Sequence, residues 1–506
     1  MRLFFRGVAS AAFFLSAATA QALEPPKPSL PPLPLPQEAQ AVADLQRRMD
    51  TLEQMLQSRF EWSGEFESTY ELNQRPPAAQ SSKQEAAVRA HLRPRVDHMQ
   101  KRYGLYMDLL FRADARNPDR NTVRIDEAYA KARLPWVKDF TIRAGKMIYN
   151  WGVDAFYNPT DFINPVDYYD FYHPDKLGVL AIDANYAFSN DFSLTFGIVP
   201  VFQPSIVSNP KSRWINYSQF ISKAVLSRLA LPSSLPSDYY IEFDLAHRAP
   251  EFPQPFFRLA YKGLGYDVAF AYSFRYRQAP QAVTFKSDIG FDAINSFPTG
   301  KLEGTPYYQQ EHLLALDTNL PAFGGVLFAA STLGVPSTTQ EDLPTTTQIL
   351  SNYNSVGITG LSQADIEGSR KTTTFTGTIG FRKEWGDVQA FIQYASLWYL
   401  TGAPPASLFD KIGQRTGANP ADVFDFFSGS VIPGVRWNFA RRFWARAGSV
   451  VSLKRTGVIA DLGVEYEFID GFKIAAMYDY IEGKDGSLLD HYADNTRFGL
   501  TLNMVF

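Results

Sequence analysis

From Thr496 to Phe506 the chain alternates between apolar and mostly polar positions. Phe498, Leu500, Leu502, Met504 and Phe506 fall on one side, with Arg497, Gly499, Thr501, Asn503 and Val505 between them. A period of two places the two sets on opposite faces of a strand. The pattern recurs at Tyr103, Leu105, Met107, Leu109 and Phe111, at Val268, Phe270, Tyr272, Phe274 and Tyr276, and at Val458, Ala460, Leu462, Val464, Tyr466 and Phe468. Asp470-Gly471 then separates that last run from Phe472, Ile474, Ala476, Tyr478 and Tyr480, and Asp-Gly between alternating runs is a hairpin signal. Tight links near Pro135-Trp136, Ser189-Asn190-Asp191, Gly263-Leu264-Gly265, Phe323-Gly324, Trp385-Gly386, Ala440-Arg441 and Asp470-Gly471 take turns with long ones near 148–177, 202–254, 278–306, 334–370, 400–428 and 483–495. Counting strands between links gives about 18, within a range of 16–20. A hidden hairpin in 202–254 raises the count, and a misassigned early pair lowers it.

Composition turns this strand series into a fold. The 506 residues are 45% hydrophobic and 15% aromatic, with no cysteine. Mean hydropathy is -0.20, and no apolar run past residue 22 approaches the twenty residues of a spanning helix. A sheet can meet lipid only when closed, so that every backbone group is paired. The expected fold is therefore all-β: a transmembrane antiparallel β-barrel over 59–506, with short links on the periplasmic side, long ones outside, and aromatic girdles at the strand ends. Arg2, Arg6, the apolar run Val8–Ala18 and the small-residue sites that follow predict a signal peptide over 1–22. Residues 23–58 read as a periplasmic preface. Pro25–Pro36 forms an extended spacer, and Val42, Leu45, Met49, Leu52 and Leu56 form a two-heptad seam on a short helix. Two readings of that helix stand: it bundles three barrels into a homotrimer, or it lies at the barrel mouth. A formal charge of -3 suggests no nucleic-acid partner.

On this strand assignment the polar faces line a lumen. Its bases include Arg89, Arg93, Arg95, Arg112, Lys131, Arg133, Arg143, Arg258, Lys262, Arg275, Arg277, Arg382, Arg436, Arg446, Lys473 and Arg497. Its acids are Asp97, Asp108, Glu127, Asp267, Asp461, Glu465, Glu467 and Asp479, a roughly twofold basic excess at a register that one slip would reverse. Such a wall favours anions, or else braces itself as a ladder of Arg–carboxylate pairs. One long link stands apart, from Trp151 to Asp175. Trp151, Gly152, Asp154, Tyr157, Asn158, Asp161, Asn164, Asp167 and Tyr168 make it a candidate constriction or substrate loop. Asn158-Pro159 and Asn164-Pro165 set its turns. It reads equally as a rigid surface loop, and Asp161, Asp167 and Asp170 offer a weak Ca2+ possibility without standard spacing.

Ile125-Asp126-Glu127-Ala128-Tyr129, Arg143-Ala144-Gly145-Lys146, and Trp151-Gly152 with Asp154, Asn164-Pro165 and Asp167 resemble a proteobacterial porin-type outer-membrane barrel group, and more distantly alginate-export barrels. The likeness covers about 125–204 and the C-terminal strand; Lys146 is followed by Met where the group favours Arg-Gln. The resemblance implies an outer-membrane location in a Gram-negative bacterium. The six histidines are scattered, and no Gly-x-Ser-x-Gly or His-Glu-x-x-His accompanies them, so no enzyme and no cofactor is expected. The leading expectation is a passive channel for small hydrophilic, anionic solutes, embedded in outer-membrane lipid. The alternatives are an export conduit for an acidic polysaccharide and a barrel sheathing a partner protein.

Overall fold

The computed structural model describes residues 44–50, 58–73, 84–98, 101–115, 121–137, 139–153, 155–167, 174–206, 241–245, 252–263, 265–278, 282–292, 297–337, 373–401, 429–453, 457–483 and 495–506, with backbone alone for 241–245, 282–292 and 297–307. The chain divides into two units, Met1–Leu56 and Gln57–Phe506. In the first, residues 44–50 form one short helix with an Arg48–Asp44 pair at 3.2 Å. Its seam residues Leu45 and Met49 are exposed. Val42, Leu52, Leu56, the proline spacer and the expected signal lie outside the described residues.

The second unit is built from strands β1 (Arg59–Asn73), β2 (Gln84–His98), β3 (Tyr103–Asp114), β4 (Thr122–Arg133), β5 (Phe140–Met147), β6 (Val166–Asp167), β7 (Asp175–Lys176) and β8 (Val179–Ala187). Next come β9 (Phe192–Val199), β10 (Ile241–Leu245), β11 (Gln254–Gly263), β12 (Tyr266–Tyr276), β13 (Ala282–Asp292), β14 (Phe297–Tyr307), β15 (Gln310–Ala322) and β16 (Gly325–Pro336). The series ends with β17 (Thr373–Trp385), β18 (Val388–Thr401), β19 (Ser430–Ala440), β20 (Phe443–Ser452), β21 (Gly457–Ile469), β22 (Phe472–Gly483) and β23 (Arg497–Val505). Eighteen of them form one antiparallel sheet, closed where β1 pairs with β23 from Glu65↔Val505 to Asn73↔Arg497. β10, β13 and β14 form a separate three-stranded sheet and β6–β7 a small ladder, so the link after β9 adds no hidden barrel hairpin.

The alternation has the physical meaning expected of it. Phe60, Leu105, Ile182, Leu316, Ile379, Leu462 and Leu500 stand exposed on the outer face, while register stacks charged residues on the other, as in the row Glu67↔Arg89↔Arg112. At the tight-link end the outer face carries aromatic neighbours, with Phe443 stacked on Tyr466 at 4.3 Å and Phe439 5.6 Å from Phe443. An apolar exterior on a closed sheet is the form in which strands cross a membrane. Among the described residues no helix is long and apolar enough to do so.

Two devices hold the closing seam. Gly64 and Phe506 exchange backbone hydrogen bonds of 2.8 and 3.0 Å, and the Phe506 ring occupies the place where a Cβ on Gly64 would sit. Higher on the seam Arg497, only 4% exposed, donates from Nε to Asp479 Oδ2 of β22 at 2.7 Å and from Nη1 to Glu71 Oε2 of β1 at 2.9 Å. Removing the cation from such a buried set strands two carboxylates and costs about 3–5 kcal/mol. Arg497→Met is therefore expected to lower the temperature at which the barrel unfolds in detergent, read by the heat-dependent shift in gel mobility. An unchanged transition would show that the seam does not depend on this triad.

Candidate functional site: the lumen and its internal loop

The link after β5 turns into the barrel, and polar side chains fix its neck. Asn164 accepts from Tyr149 N at 2.6 Å and donates to Met147 O and Leu177 O at 3.0 and 2.8 Å, tying both limbs together. Glu127 of β4 accepts from Ile148 N at 2.8 Å. Arg143 pairs with Asp183 through two bonds of 3.0 and 2.6 Å, and the Tyr149 hydroxyl donates to the same carboxylate at 2.7 Å. Burial, with the Asp183 charge beside it, pushes the Tyr149 phenol up and keeps it a donor.

Beyond the neck the loop runs along the inner wall. Trp151 packs edge-on to Tyr149, Phe162 and Phe256 at 5.5 to 5.8 Å, with the Arg258 guanidinium 5.8 Å from its ring. Phe162 is buried against Ala271, Leu313 and Ala315, and Val153 against Phe328 and Ala330. Each such side chain contributes about 1.5–3 kcal/mol of burial. Asn158 closes the tip, donating to Trp151 O at 2.6 Å and Val153 O at 3.1 Å and accepting from Thr160 Oγ1 at 2.8 Å. Gly152 has φ +88, and a Cβ there would collide with Asn158 and Thr160, so the turn requires glycine. At the far wall Gln393 of β18, 1% exposed, accepts from Tyr157 N at 3.3 Å and donates to Tyr157 O and Thr378 Oγ1, both at 2.5 Å. The loop thus covers the inner wall from β8 to β18.

The returning limb is held by charge. Asp161 pairs with Lys176; burial pushes the Asp161 carboxyl up, and the lysine only partly opposes this. Asp167 lies 3.7 Å from Arg124, and Asp175 lies 3.2 Å from Arg89 and 4.0 Å from Arg112. Asp161 and Asp167 are therefore each bound to a cation. Among the described residues no three acid or imidazole groups gather as a metal site. Asp154, Tyr168 and Asp170 lie outside the described residues.

Register places Arg93, Arg95, Arg112, Arg143, Arg258, Arg275, Arg436 and Arg446 on the inner face, and Arg277, just past β12, reaches Glu311 there. Most are neutralised there. Arg93 binds Asp108 at 2.9 Å and Arg95 binds Asp97 at 2.8 Å. Arg258 binds Asp317 at 3.3 Å and Arg446 binds Asp461 at 3.1 Å. Arg275 and Arg277 clamp the 2%-exposed Glu311 at 3.0 and 2.6 Å. The twofold basic excess expected from the sequence is not what the wall carries. Glu61, Glu65, Glu67, Glu71, Glu85, Asp114, Asp183, Glu311 and Asp317 also face inward and bring the two signs close to balance. Of these, the acids of β1 alternate visibly with Phe60, Trp62, Phe66 and Tyr70. Gln393 has no sequence signal at all.

Opposite the loop, a cavity of about 490 Å³ remains against β1–β3 and β20–β23. Its charged lining is Glu65, Glu67, Glu71, Glu85, Asp114 and Glu465 with Arg89, Arg112, Arg446 and Lys473.

No family model and no curated protein matches the chain. Among solved structures it is similar to Pseudomonas aeruginosa OccK5 (OpdH), at 11% identity over 88% of this chain and 98% of that one, with a TM-score of 0.45. It is also similar to a BenF-like porin from Pseudomonas fluorescens Pf-5, at 10% identity over 89% and 98%, with a TM-score of 0.47. A third is Pseudomonas aeruginosa OpdO, at 10% identity over 90% and 98%, with a TM-score of 0.45. At a tenth identity, the reading of this lumen rests on its own geometry.

Asn164→Ala leaves one buried donor and two buried acceptors at the neck without their partner, at a cost of about 1–3 kcal/mol each. Hydrogen exchange is expected to show 148–165 opening in this variant while the β1–β23 ladder stays protected. Equal protection of the loop in both proteins would contradict the assignment of Asn164 as its clasp.

Proposed function

We propose that the protein is an outer-membrane channel through which small hydrophilic solutes diffuse passively, past a constriction formed by the loop 148–165. The observation that supports this best is the division of the barrel interior: loop and apolar wall fill one side, and a charged cavity occupies the other. A sheet apolar outside and charged inside suits a water-filled path through lipid. A loop clamped to the inner wall suits a fixed constriction, whereas a polymer conduit needs a wide continuous track. Because inner acids and bases nearly balance and most are paired, selectivity between small anions and cations is weak, in place of the anion preference expected from the sequence.

Reconstituted into liposomes, the purified protein is expected to admit monosaccharides and to slow steeply with solute size, as read by swelling rates. Swelling no faster than protein-free liposomes for the smallest sugars would refute the channel reading.

A further inference from the structure

Most charges lining the cavity are spoken for; two are not. Among the described residues Glu67 has one polar contact, the Thr69 hydroxyl donating to its Oε1 at 3.3 Å, and no ion pair. Arg89, opposite it on β2, is turned to Asp175. Lys473 has no ion pair among the described residues either; its ammonium lies 5.7 Å from the Trp444 ring. Register sets these two in one row, Glu67↔Asn503↔Lys473, across β1, β23 and β22. Asn503 between them is held by its amide donating to Glu65 Oε1 at 2.9 Å. One row above, Thr501 carries a buried Oγ1 with no hydrogen-bond partner, and all four residues line the cavity.

We infer that this row is a subsite for a small zwitterion, an amino acid whose ammonium meets Glu67 and whose carboxylate meets Lys473. Two strand spacings separate the charged residues by about 10 Å. With the Lys473 ammonium turned from the Trp444 ring toward Asn503, so that both side chains stand at this backbone spacing, about 2.8 Å for a charge-assisted hydrogen bond at each end leaves roughly 4 Å between the solute's charges, the span of a short amino acid. Neither charge has a counter-charge within ion-pair distance among the described residues, and a dipolar solute supplies both at once. A singly charged solute supplies only one. The subsite rests on the lumen being the solute's path, and it gives a nearly neutral pore a preference that net charge cannot.

The test is saturation-transfer NMR on the detergent-solubilised full chain with β-alanine, propionate and propylamine, alongside conductance of the same preparation. β-Alanine is expected to bind about tenfold more tightly than either singly charged probe, and Glu67→Gln and Lys473→Gln are each expected to lose that advantage, about 1.4 kcal/mol. The exchanged pair Glu67→Lys with Lys473→Glu is expected to recover it, because the solute binds reversed. The proposal is overturned if β-alanine binds no better than propionate or propylamine, or if the single variants shift its affinity in opposite directions, as a net-charge effect would. Binding of β-alanine by a protein that does not conduct defeats the channel reading and leaves the subsite standing; conduction without binding overturns the subsite.

Discussion

Main-chain N–H and C=O groups that meet hydrocarbon have no water to bond, so each must find its partner within the protein. For a sheet this leaves one solution, closure, and the rest of this molecule follows from the contact of β1 with β23. Closure removes both edges and makes one face an outside and the other an inside. The seam is built from both ends of the barrel sequence: Arg497 sits between Asp479 and Glu71, and Phe506 lies over Gly64. With the backbone satisfied around the ring, the outward side chains are free to be Leu, Ile and Phe, and the inward ones free to be charged.

The interior is then divided by a second core. The loop after β5 brings Trp151, Val153 and Phe162 against inner-wall residues that are small or apolar, among them Ala181, Ala271, Ala315 and Ala330. Polar clasps fix where this core begins and ends, Asn164 at the neck and Gln393 at the far wall. The opposite wall keeps its charges, mostly cross-paired, so it presents a polar surface with little net field. Buried pairs such as Arg143–Asp183 and the Glu311 clamp add little net stability over apolar substitutes, yet removing either partner is costly. They therefore act chiefly to hold the wall in one arrangement.

The same division explains what was legible in the sequence. Strands with water inside and lipid outside, such as β3, β22 and β23, show clean alternation, and the tight links at Phe323-Gly324 and Asp470-Gly471 are turns in the structure. Beneath the loop the alternation breaks down in β15. β15 places Leu313 and Ala315 inside and Leu314 and Leu316 outside, which hides the inward roles of Glu311 and Asp317. The loop's distinctive motif was visible, and its residues prove to bind mostly to the chain itself: Asn158 to its own tip and Asp161 to Lys176. Gln393 is one glutamine among others until the fold brings Tyr157 to it across 236 positions of sequence.

The central claim is that the clasped loop sets the width of the pore. The most direct measurement is single-channel conductance in planar bilayers with polyethylene glycols of graded size, on the wild type and on Gln393→Leu, which keeps bulk but loses the bonds to Tyr157. The account expects discrete open steps in the wild type, a small exclusion size, and a larger, noisier opening that admits larger polymers once the clasp is gone. Identical exclusion sizes for the two proteins would show that the loop does not form the constriction.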